Sequence, residues 1–161
     1  MVAALVLAGL ATTAARAAAT PRCATSQLVV WLDTRGNGTA GSTYYNLEFT
    51  NLSGHRCTLL GYPGVSGVDL RGRRLGTPAR RNPHAPVRAV GLAPGASASA
   101  VLQITDTGVF PRRSCRVVSA GGLRVYPPAQ IRSKVVPFPF RACSRPGPAY
   151  LHVEAVGKAV R

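Results

Sequence analysis

The sequence predicts an all-β domain, a two-sheet antiparallel β-sandwich of about eight or nine short strands. Glycine and proline are frequent, with 17 and 13 among 161 residues, and they recur at short intervals that favour turns. Several segments between these turns alternate apolar and polar residues, which is the period of a strand with one buried face. No window beyond the N-terminal segment has a helical period. A chain of 161 residues has the length of one domain.

Residues 1–19 have the composition of a secretory signal peptide. An apolar run is followed by small-residue cleavage candidates at Ala15-Arg16-Ala17 and Ala17-Ala18-Ala19. The run is shorter than the roughly 20 apolar residues that a membrane-spanning helix needs. We therefore expect residues 20–161 to form a single exported domain, with no transmembrane segment after the signal is removed.

Strands are predicted in order along this domain wherever β-forming residues lie between turn signals. They lie in QLVVWLD (27–33), TYYNLEFTN (43–51), CTLL (57–60), VSGVDLRGRRLG (65–76), VRAVGLAPGASASAVLQIT (87–105), CRVVSAGGLRVYPP (115–128), KVVPFPF (134–140) and AYLHVEAV (149–156). The glycine-rich segment 34–42 and the segment 77–86 are predicted to be loops.

Three of these segments carry specific expectations. TYYNLEFTN alternates most clearly, with Tyr45, Leu47 and Phe49 on the buried face. KVVPFPF is predicted to be an edge strand, because its two prolines cannot donate to a neighbouring strand. Trp31, the only tryptophan, is expected in or near the core of the first strand.

Four runs in the chain resemble the actinobacterial family called domain of unknown function 4232. They are GSTYYNLEFTNLSGHRCTLLGYPGVSGVD, LAPGASASAVLQ, CRVVSAGGLRVYPP and VPFPFRACS, and CTLLGYPGV is the most specific part. The resemblance implies an exported, immunoglobulin-like β-sandwich with two disulfides, found alone or behind a lipid anchor or membrane segment. It implies no established activity and no catalytic residues.

The four cysteines are expected to form disulfides, because an even number in an exported chain favours crosslinks over thiol chemistry. We favour Cys23 with Cys57 and Cys115 with Cys143, which join neighbours in the sequence. The alternative is a metal site at His55 and Cys57, aided by His84 or His152. The histidines are far apart in the sequence and no second ligand pair accompanies them, so we predict no metal and no cofactor.

Positive charge is the other prominent feature of the chain, which has 20 basic and 5 acidic residues. Removing Arg16 with the signal leaves a net charge of +14. Arginines form three clusters: Arg71, Arg73 and Arg74 lie around the turn that joins two short strands in 65–76, Arg80 and Arg81 lie in the predicted loop 77–86, and Arg112 and Arg113 lie in a predicted loop at 106–115. If these loops combine into one patch, they would attract polyanions such as cell-wall phosphate polymers; the alternative is that they only solvate the surface.

Motifs for other chemistries are missing or weak. Ser66 lacks the Gly-x-Ser-x-Gly spacing of a nucleophile elbow. The pairs Asp33 with Glu48 and Asp69 with Asp106 are interpreted as turn or exposed-strand residues, and not as catalytic carboxylates. No basic helix or aromatic platform suggests sequence-specific nucleic-acid binding.

The sequence thus predicts a secreted or cell-envelope-associated, non-enzymatic module with no catalytic residues. An anionic cell-wall polymer or another exported protein is the expected partner. Two alternatives are kept: a protease-inhibitor-like domain that presents the loop RRNPHAPVR (80–88), and a surface protein that binds polyanions. An enzyme is the least favoured class.

Overall fold

A computed structural model describes residues 19–159 of the chain. Except for Ala19, the signal peptide predicted at residues 1–19 lies outside the described residues. The all-β prediction is confirmed, since the described helices are two 3₁₀ turns, Thr25–Gln27 and Thr107–Val109. None of the described helices is long and apolar enough to cross a membrane.

The described part of the chain contains twelve strands, three of which have only two residues, so the prediction of about eight or nine fits the longer ones. In chain order they are β1 (Leu28–Thr39), β2 (Ser42–Asn51), β3 (Cys57–Leu59), β4 (Gly64–Val68), β5 (Arg74–Leu75), β6 (Arg80–Arg81), β7 (Val90–Leu92), β8 (Ser97–Thr105), β9 (Val117–Tyr126), β10 (Lys134–Cys143), β11 (Leu151–Val153) and β12 (Gly157–Lys158).

The strands form two larger sheets and one small one. The first sheet has the order β1-β2-β8-β11-β6, with β12 also paired to β8; the second has the order β10-β9-β4-β5; β3 pairs with β7. All of these strand pairs are antiparallel except β6 with β11, which is parallel. The strand β10 lies at a sheet edge, as its prolines predict, and its register shifts between Pro137 and Phe140.

One hydrophobic core lies between the two larger sheets. The predicted apolar face of β2 is buried, with Leu47 and Phe49 fully inaccessible and Tyr45 partly buried against the core. The ring of Tyr45 meets Phe138 of the opposite sheet edge-on, with centroids 5.1 Å apart. At Gly67 of β4, an added Cβ would lie 2.6 Å from the Tyr150 hydroxyl, so only glycine permits this close approach.

Four local expectations are wrong. The segment 34–42, predicted to be a loop, forms most of the turn end of the β1–β2 hairpin, and β6 lies within the predicted loop 77–86. Trp31 is 43% exposed, because alternation along β1 buries Leu28 and Leu32 and turns Trp31 outward. Glu48, expected to be exposed, retains only 6% of its accessible surface.

Both expected disulfides are present. Cys23–Cys57 ties the segment before β1 to β3, and Cys115–Cys143 ties the segment before β9 to the end of β10. The four cysteines are almost fully buried. Each crosslink therefore anchors a chain segment to the core and fixes the loops on either side of it.

Candidate functional site

The predicted metal alternative at His55 and Cys57 has lost its thiolate, since Cys57 is disulfide-bonded. His55 lies at the surface, with Nε2 3.3 Å from Nε2 of Gln27. His152 lies on β11 of the first sheet, and its pKa is lowered by burial and by the nearby Arg80. Within residues 19–159 no group of three or more histidines, cysteines and carboxylates could hold a metal ion.

Asp69 and Asp106, one of the two carboxylate pairs considered in the sequence analysis, have local structural roles. Asp69 accepts hydrogen bonds from the backbone N–H groups of Arg71 and Arg73 at 2.9 and 2.8 Å, and these bonds organise the β4–β5 turn. The Arg73 bonds and charge lower the pKa of Asp69. Asp106 accepts from the N–H of Gly108 at 2.8 Å and begins the second 3₁₀ turn. The structure does not bring these two acids together in any shared hydrogen bond.

The predicted arginine clusters are distributed over both larger sheets. Arg71, Arg73 and Arg74 lie in or beside the β4–β5 hairpin of the second sheet, whereas Arg80 and Arg81 form β6 at the edge of the first. The guanidinium of Arg81 lies over the ring of Tyr62, 5.3 Å from its centroid. Arg112 and Arg113 lie in the loop that leads to β9.

Two loops around the Cys115–Cys143 disulfide place further arginines near Arg112 and Arg113. Ser144, which follows Cys143, donates its backbone N–H and its hydroxyl to the carbonyl of Arg116 at 2.8 and 3.0 Å. The loop 144–147 is held on its other side by Thr77, which exchanges two hydrogen bonds with Gly147. We call the exposed cations of these loops, Arg112, Arg113, Arg116 and Arg145, the disulfide rim. None of them takes part in the two ion pairs of the described residues.

A groove on the outward face of the first sheet was not predicted. Its floor includes Trp31 of β1, Glu48 of β2 and Ser97 of β8, which all alternate with core residues. The strands β7 and β12 contribute further lining residues, and the cavity volume is about 570 Å³. We call this cavity the outer groove.

Two carboxylates, Asp33 and Glu48, line the outer groove and differ in their partners. Asp33 pairs with Arg35, whose Nη2 lies 2.8 Å from Oδ2, and hydrogen bonding by Arg35 lowers the pKa of Asp33. Glu48 Oε2 is buried with no hydrogen-bond partner among the described residues. Burial, followed by repulsion from Asp33, raises the pKa of Glu48.

Trp31 lies directly opposite Glu48 in the β1–β2 register. Its indole Nε1 donates to Thr50 Oγ1 at 3.2 Å, and that hydroxyl is bonded to Ser97 Oγ at 2.8 Å. These bonds fix the edge of the ring against the sheet while much of the side chain remains exposed. The sequence did contain a signal for this site. Trp31 lies an odd number of positions from both Leu28 and Leu32, so alternation along a strand places it on the face opposite to these two core residues.

The family described as a domain of unknown function (DUF4232) matches residues 23–157, which is most of the chain. No curated protein matches the chain significantly.

Proposed function

The chain belongs to the DUF4232 family, and we propose that it acts as an exported, non-enzymatic binding module of the cell envelope or extracellular space. Its ligand in this proposal is an anionic polymer, bound at the disulfide rim. The observation that carries the proposal is the grouping of four exposed, unpaired arginines on loops that a disulfide and backbone hydrogen bonds hold in place.

The charge balance supports this proposal. Arginine presents a planar fork of donors that suits phosphate and carboxylate groups. The chain has only 5 acidic residues for 20 basic ones, so most cations have no acidic partner available. A surface of one sign raises the local concentration of ligands of the other sign.

Export is supported by the two disulfides, which form and persist in oxidising compartments. A non-enzymatic role agrees with the structural use of Asp69 and Asp106 in turns. The protease-inhibitor alternative has less support. Arg80 and Arg81 of its proposed loop are paired with β11, so they are not free to enter a protease cleft as an extended segment.

The test measures retention of residues 20–161 on immobilised poly(glycerol phosphate), as a function of salt. The double variant R112A/R113A removes two cations of the rim. Its matched control is R132A/K134A, which removes two cations at the start of β10, about 30 Å away along the strand from Cys143.

We expect retention to fall steeply with salt, and to weaken at least about tenfold in R112A/R113A but much less in the control. Equal weakening in both variants would mean that net charge alone is responsible and would refute the rim as a site. Retention that is insensitive to salt would refute the polyanion proposal as a whole.

A further inference from the structure

The outer groove contains a polar atom that lacks a partner. Glu48 retains 6% of its accessible surface, and its Oε2 has no hydrogen bond within the described part of the chain. Buried polar groups in native proteins are almost always hydrogen-bonded, so an exception at a cavity indicates a place for a ligand donor. The side chain that carries this oxygen is one of those that line the cavity.

An aromatic surface lies next to this acceptor. Trp31 is the direct cross-strand neighbour of Glu48, lines the same groove and is 43% exposed. The face of an indole ring carries negative potential and attracts weakly positive C–H groups. A ligand that presents a C–H face beside a hydroxyl donor would use both residues at once, and a pyranose ring has this pattern.

The charges of the groove favour a neutral ligand. The carboxylates of Asp33 and Glu48 are matched by the cations of Arg35 and Lys158, which also line it. The lining is therefore formally neutral in a chain that is otherwise strongly basic. A polyanion would meet the unpaired Glu48 carboxylate here, and like charges would repel.

From these observations we propose that the outer groove is a binding site for a neutral saccharide. The sugar stacks on Trp31 and donates a hydroxyl hydrogen bond to Glu48. This site is separate from the disulfide rim and does not depend on the proposed polyanion function.

The size of the site suits more than a single sugar. The outer groove has a volume of about 570 Å³ and shares Val90, Gly91 and Lys158 with a neighbouring cavity of about 500 Å³. Volumes in this range are typical of small-molecule sites. An oligosaccharide that occupies the first cavity can therefore continue into the second.

Trp31 is the only tryptophan, so tryptophan fluorescence reports on this site alone. We would titrate residues 20–161 with neutral tetrasaccharides of glucose, N-acetylglucosamine, mannose and galactose. The variant E48Q keeps the size of the side chain but loses the charge that strengthens the hydrogen bond. The control E154Q makes the same change outside the groove, where Glu154 accepts from Asn82.

We expect at least one tetrasaccharide to change the fluorescence saturably, with affinity about tenfold lower in E48Q and unchanged in E154Q. In W31A, calorimetry should show no binding, and thermal unfolding of each variant verifies the fold. R112A/R113A should bind the sugar normally, which separates this site from the rim. The proposal is overturned if none of the four sugars binds at millimolar concentration, or if E48Q and E154Q bind equally well.

Discussion

Tyr150 provides a sharp test of how the two larger sheets are held together. It is fully buried just before β11 of the first sheet, and its hydroxyl donates to the carbonyl of Leu75 in the second sheet at 2.8 Å. Replacing it by phenylalanine keeps the ring but removes this buried hydrogen bond between the sheets. We expect Tyr150→Phe to lower the free energy of unfolding by about 1–2 kcal/mol at pH 8.

The same residue gives a pH dependence of defined sign. Burial raises the pKa of Tyr150 to about 12 from its ordinary value of 10.0. The unfolded chain therefore loses this proton first as pH rises. The stabilising contribution is complete below pH 10 and declines between about pH 10 and 12, by about 1.4 kcal/mol per pH unit.

Phenylalanine has no proton to lose, so the stability difference between wild type and Tyr150→Phe should shrink by about 1.4 kcal/mol between pH 8 and pH 11. Urea unfolding at 25 °C, followed by far-ultraviolet circular dichroism soon after transfer to each pH, measures it. The other tyrosines and the basic residues titrate in both proteins and cancel in the difference. An equal difference at pH 8 and pH 11 would refute the assignment of a buried, hydrogen-bonded hydroxyl.

Three further changes test other parts of the structure. The double variant C115A/C143A opens a crosslink between residues 28 apart and should lose about 3.6 kcal/mol in urea unfolding; no loss would mean that the rim loops are fixed without it. Glu48→Gln removes a carboxylate whose pKa burial raises, so it should raise the unfolding free energy by about 1 kcal/mol at pH 7. That gain should vanish as pH falls below the ordinary carboxyl pKa, where Glu48 is neutral in both states; a gain that persists there would contradict the charge argument. Gly122→Ala places a Cβ 2.5 Å from the backbone oxygen of Val136 and should cost about 1–3 kcal/mol, whereas Gly38→Ala, with open space around it, is the control that should not share that steric cost.

Local sequence patterns were sufficient to predict most of the longer strands and both crosslinks. Alternation in TYYNLEFTN placed Leu47 and Phe49 in the core, and proline placed β10 at an edge. The cysteine pairing followed from sequence proximity, and it is present in the structure. These features depend on residues close together in the chain, which is why the sequence was informative about them.

The candidate sites depend on contacts between distant segments, and here the sequence was less informative. Arg112 and Arg113 were visible as a pair, but Arg145 joins them through contacts between distant segments, namely the Cys115–Cys143 crosslink and the hydrogen bonds of Ser144 to Arg116. Glu48 looked like an exposed strand residue. It is buried beside a cavity that residues of β7 and β12, more than 40 positions later in the chain, also line.

The two misplaced residues, Trp31 and Glu48, are best understood together. For stability alone, an apolar side chain is better placed inside and a carboxylate outside, and this sheet does the reverse at one cross-strand pair. Substitutions that stabilise a protein at such positions commonly reduce its function. The expected opposite effects of Glu48→Gln, higher stability and weaker sugar binding, follow from this reasoning. A variant that lost both stability and binding would instead identify Glu48 as a structural residue whose partner lies within the protein.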